Sequence, residues 1–138
     1  MIQPPKIAIR SVVAVVAGCL AMLLLEMLIY LTLGIFFPKA FPSIGALPSI
    51  PWAIFILIWS LVSAGVGAYV TSLICDGKRV GHVLAMMGIV LLLGLLFLAG
   101  NIYKQPTWYL VSKIVVWIVG AMIGGSVPVR SKTQIHHR

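Results

Sequence analysis

The segment WAIFILIWSLVSAGVGAYVTSLIC, Trp52 to Cys75, contains no charged residue and no proline. It exceeds the ~20 residues that a helix rising ~1.5 Å per residue needs to cross a ~30 Å hydrocarbon core. Polar and apolar residues do not alternate at period two, as a membrane-barrel strand requires, so the segment reads as a transmembrane helix. Its small residues are ordered. Ser60, Ser63, Ala64, Gly67, Ala68, Thr71 and Ser72 recur at three- and four-residue steps along one face, whereas Ile58, Val62, Val66, Tyr69 and Leu73 lie largely on the other. Gly65 falls outside the small face. Lipid tails are as apolar as leucine, so helices associate in a bilayer through close backbone approach, and the small face is expected to pack inside a bundle.

Three further apolar runs flank this one, at Ser11 to Phe37, Val80 to Tyr103 and Thr107 to Val127. All four are long enough to span, which predicts an all-α polytopic membrane protein, a four-transmembrane-helix antiparallel bundle forming a single membrane domain over residues 1–138. Asp76-Gly77-Lys78-Arg79 and Lys104-Gln105-Pro106 are so short that they make the second, third and fourth spans antiparallel neighbours. Residues 38–51 hold Pro38, Pro42, Pro48 and Pro51 with Phe41 and Ile44 between them, an apolar loop that cannot form a regular helix and is expected to lie along the interface.

Composition agrees. Of 138 residues, 62% are apolar, two are acidic and ten are basic, against the roughly 45–50% apolar share of a soluble domain. A soluble globule, a disordered chain and a disulfide scaffold are excluded. The net charge of +8 lies between and beyond the apolar runs, so it signals topology and not a nucleic-acid partner. Lys6, Arg10, Lys78, Arg79, Arg130, Lys132 and Arg138 fall on one side, the last three in the basic tail 128–138. Only Lys39 and Lys104 fall on the other side. This asymmetry predicts a multi-pass protein of the inner (plasma) membrane with both termini cytoplasmic. Phe36, Phe37, Phe41, Trp52, Tyr103, Trp108 and Tyr109 gather at the opposite boundary as an external aromatic belt.

Small residues mark expected seams in the other spans too: Ala14, Ala17, Gly18 and Ala21 in the first, Gly81, Ala85 and Gly88 in the third, Gly120 and Gly124 in the fourth. Gly18, Ala64, Gly67, Thr71, Gly120 and Gly124 are the expected packing positions. Packing within the chain is the first reading of these faces, and homo-oligomerisation the second.

Two ionisable residues lie well inside the runs, Glu26 and Lys113. A charge at the bilayer centre costs about 2.5–3.5 kcal/mol on insertion scales. Helical side chains lean toward the helix N-terminus. Lys113 is therefore expected to snorkel to the external headgroups, whereas Glu26 leans deeper into the outer half of the core. Glu26 shares a face with Gly18, Cys19 and Met22, which points it into the bundle. There it is expected to be protonated or paired, tying helices together through Ser60, Ser63 or Lys113, or else to form a proton or cation site. Cys19 and Cys75 read as free thiols without metal-ligand spacing, and the adjacent His136 and His137 supply too few ligands for a metal. No cofactor is implied. There is no nucleotide-binding glycine loop, HExxH, nucleophile elbow or acidic pair, so nothing in the sequence supports an enzyme.

Gly67-Ala68-Tyr69-Val70-Thr71, Gly81-His82-Val83-Leu84, Pro106-Thr107-Trp108-Tyr109 and Gly124-Gly125 resemble in arrangement a pattern of small uncharacterised four-span bacterial membrane proteins. The likeness covers about the last two thirds of the chain and implies a bacterial inner membrane without a defined activity. A carboxylate in the first of four spans is also similar to the small multidrug resistance transporters, by architecture alone. The expected role is a non-enzymatic interaction, assembly or accessory subunit, with lipid and a protein partner or second copy as its contacts. The alternative is a small proton-coupled transporter or channel centred on Glu26.

Overall fold

A computed structural model of the chain describes residues 5–41, 49–75, 79–101 and 105–128. Four helices follow one another: α1 (Pro5–Phe36), α2 (Ile50–Ile74), α3 (Arg79–Asn101) and α4 (Thr107–Ser126). All four are long and apolar enough to cross a membrane, so the chain is an integral, multi-pass membrane protein built as an all-α antiparallel four-helix bundle. α1, at 32 residues, is ~48 Å long and overshoots the hydrocarbon core. Its excess lies at the start. Arg10 Nε donates to the Ile74 carbonyl at 3.2 Å, which places Arg10 level with the end of α2 and supplies a cation to that helix's unsatisfied carbonyls.

Pro51 lies in the first turn of α2 and Pro106 is the N-cap of α4, positions where the missing N–H leaves no hydrogen bond unmade. After α1 the chain turns back at once, with Ala40 N donating to Phe37 O at 2.9 Å and Phe41 N to the same carbonyl at 3.0 Å. Phe41 is buried against Trp52, ring centroids 5.2 Å apart and nearly perpendicular. The rest of the proline-rich loop, the 76–78 connection and the basic tail lie outside the described residues.

The helices are not arranged in chain order around the bundle. α2 packs along both α1 and α4, and α3 sits across from it, touching all three others, while no backbone approach joins α1 to α4 among the described residues. Glycine sets both α2 seams. On the α1 side, a Cβ on Gly67 would stand 2.7 Å from the Gly18 carbonyl oxygen and 2.9 Å from Met22 Cβ, and one on Gly18 would collide with Thr71. On the α4 side, a Cβ on Gly120 would strike the Leu61 carbonyl, and one on Gly124 the backbone of Gly65. Residues 61 and 65 thus meet 120 and 124 in the same order, so α2 and α4 run parallel along this seam. Gly65, which the small-face pattern leaves out, therefore belongs to a second small face that receives α4.

The expected packing residues Gly18, Ala64, Gly67, Thr71, Gly120 and Gly124 are all buried, and Ile58, Val62, Val66, Tyr69 and Leu73 are exposed toward lipid. α3 departs from expectation. Its small residues Gly81, Ala85 and Gly88 face outward, while Val83, Met86 and Val90 turn inward. Larger side chains serve α3 because its neighbours already bring glycines to the contact: Val83 fills the space beside Gly125 and Met86 that beside Gly67. Only 17% of the α3 span is buried, against 39% for α2.

Candidate intramembrane polar site

Two apolar clusters divide the bundle interior. One centres on Cys19, Met22, Ala64, Met86 and Ala121, and the other, nearer the Phe36 and Thr107 ends, on Ile29, Leu33, Ala53, Ile56, Tyr109 and Leu110. The chain's buried ionic chemistry lies between them.

Glu26 and Lys113 project from α1 and α4, which stand diagonally across the bundle, so only their long side chains meet. Lys113 Nζ lies 3.4 Å from Glu26 Oε2, with the side chains 16% and 10% exposed. That separation is an ion-pair contact, longer than the roughly 2.7–2.9 Å of a charge-assisted hydrogen bond, and no other donor among the described residues reaches Oε2. Oε1 is better served. Ser63 Oγ donates to it at 2.9 Å and lies 3.1 Å from the Ser60 carbonyl. Lys113 Nζ donates to Tyr30 Oη at 3.0 Å, and Tyr30 Oη stands 3.4 Å from Tyr109 Oη, a contact either hydroxyl can donate. The ammonium also lies 5.2 Å from the Tyr30 ring centroid and 5.5 Å from that of Trp117. Both aromatic faces attract a cation electrostatically.

Local sequence explains the convergence. Tyr30 stands four residues after Glu26 on α1, and Tyr109 four before Lys113 on α4, so each tyrosine shares a helix face with its charge. Ser60 and Ser63 share the α2 face toward α1 in the same way. Glu26 lies ten residues before Phe36 on α1, and its side chain, leaning toward the helix N-terminus, meets Ser63, 13 residues into the 25-residue α2, near the middle of the bundle.

The expectation that Lys113 snorkels to the headgroups is corrected: its ammonium is directed into the bundle. Snorkelling relieves a lysine by hydration, but a carboxylate, a phenol oxygen and two ring faces relieve it where it stands, and its departure would strand Glu26. Of the partners expected for Glu26, Ser63 and Lys113 reach it. Ser60 contributes its carbonyl to Ser63, while its own buried Oγ has no partner among the described residues. The sequence does not assign Tyr30 or Trp117 to this site, and Tyr109 counts there only as part of the aromatic belt; four-residue spacing from each charge is the signal that could have found the tyrosines. Thr32 Oγ1 donates to the Leu28 carbonyl of its own helix at 2.7 Å. Cys19 and Cys75 are free and buried.

This arrangement neutralises two charges against each other and fastens three helices. No family model matches the chain, and comparison with curated proteins and with solved structures found no match either.

Proposed function

We propose that this protein is a non-enzymatic subunit that assembles with another membrane protein, in a bacterial inner membrane with both termini in the cytoplasm. One observation carries this reading: the first half of α3 turns its small residues Gly81, Ala85 and Gly88 away from its own bundle, whereas Gly94 packs inward against Trp117. Gly81 and Gly88 have nothing within 4 Å of a built Cβ, and Ala85 between them is exposed. Small residues at this spacing allow a neighbouring helix to approach closely in lipid, where packing drives association. The pairing of Glu26 with Lys113 and the filled glycine seams favour a scaffold over a transport path centred on Glu26.

The test is purification from native membranes in mild detergent, comparing wild type with Ala85→Leu. A stoichiometric partner or second copy that accompanies wild type and is lost from the variant supports assembly through α3. Recovery of both proteins as solitary monomers overturns it.

A further inference from the structure

Beside Lys113 the interior is not filled. A cavity of about 40 Å³ lies between α3 and α4, bounded by Tyr30, Gly94, Gln105, Lys113, Ile114 and Trp117. A water needs roughly 10–15 Å³ of such space together with polar partners, so there is room for about three. Partners are present. A lysine ammonium has three N–H donors; one is given to Tyr30 and one faces Glu26, and the amide of Gln105 stands at the margin, just before α4 begins. Tyr30 and Lys113 each lie six residues from their helix ends, ~9 Å below the surface, a distance that a file of about three waters covers.

Toward the opposite end the bundle closes. The void next to Met22, Ala64, Met86 and Ala121 measures about 10 Å³, the lower limit for a single water, and the Trp117 indole N–H is the one polar group identified on its otherwise apolar wall, too little room and too few partners for a file of water. Below Glu26, Gly67 sits against the Gly18 carbonyl and Met22. Thr71 and Ser72 return their hydroxyls to their own helix, at 3.1 Å to the Gly67 carbonyl and 2.9 Å to the Ala68 carbonyl.

We propose that the cavity is a water-binding vestibule that hydrates the Glu26–Lys113 pair from the Phe36/Thr107 end of the bundle and is closed at the other end. Water, and protons carried by it, reach the ion pair from one face of the membrane only. This makes the site a dead end and not a conduction path.

Cysteine accessibility tests both halves, using the water-soluble, membrane-impermeant 2-sulfonatoethyl methanethiosulfonate on membrane vesicles of each orientation. Ile114→Cys is placed in a Cys19→Ala, Cys75→Ala chain and compared with Val111→Cys in the same chain. Val111 is 55% exposed toward lipid and nearer the surface than Ile114. Only a hydrated thiol forms the reactive thiolate, so depth alone predicts faster labelling at position 111, whereas a vestibule predicts labelling at least about tenfold faster at position 114. Native Cys19, examined in a Cys75→Ala chain, reports the closed half and is expected to stay unmodified from both faces. Slower or equal labelling at position 114 overturns the vestibule, and modification of Cys19 overturns the one-sided closure. If Ile114→Cys does not fold, Leu98→Cys on the cavity wall against Ala99→Cys, exposed and one residue nearer the helix end, repeats the comparison from α3.

Discussion

At the scale of single residues, the decisive contact is the one between Glu26 and Lys113. Removing one member of a buried pair costs about 3–5 kcal/mol, because the other charge is left uncompensated, whereas removing both is often nearly neutral. Glu26→Leu and Lys113→Met are therefore each expected to lower thermal stability in detergent severely, and the double variant to recover most of the loss. Glu26→Gln keeps an acceptor for Ser63 but not the charge facing Lys113, so it should fall between wild type and Glu26→Leu. A double variant whose loss equals the sum of the two single losses means that the residues do not interact. Glu26 was legible in the sequence as a buried carboxyl facing the bundle. Its partner was not, because the direction of a lysine side chain depends on whether a counter-charge stands across the bundle, and α1 and α4 are separated by most of the chain.

Among the helices, α2 is the element on which the others are assembled, and its two faces do different work. Gly67 lies against Gly18, Met22 and Met86. Gly67→Leu must therefore push apart two seams, at roughly 1–3 kcal/mol or more for overpacking of this kind. Val62, 48% exposed, looks at lipid, and Val62→Leu should change stability by no more than about 0.5 kcal/mol. Melting of the two variants in the same detergent separates these values, and equal losses would place the small face of α2 toward lipid. The same pattern of small residues led to the right answer on α2 and the wrong one on α3. Gly81, Ala85 and Gly88 are spaced as an interface, but Val83, Met86 and Val90 make the contacts. Spacing shows that a face can be approached closely. It does not show by what.

For the whole molecule, orientation in the membrane remains the property most directly open to test. Basic residues are retained on the cytoplasmic side during insertion, so a reporter fused after Arg138 is expected to be active as a cytoplasmic enzyme and silent as an external one, and the opposite result reverses the topology. The four spans, their approximate ends and the all-helical class were determined by the sequence itself. Hydrophobic length against a slab of fixed thickness is a local property, readable one segment at a time. Only the tertiary structure decided that α2 takes α4 and not α3 as a close partner, that Gly65 belongs to a seam, that α3 faces Gly81, Ala85 and Gly88 outward, and that Lys113 turns inward to Glu26. The physical reason is common to all four. In a bilayer the surfaces facing lipid and those facing protein are equally apolar, so hydrophobicity cannot tell them apart, and the choice of neighbour rests on shape and on a few polar contacts that exist only once the helices have met.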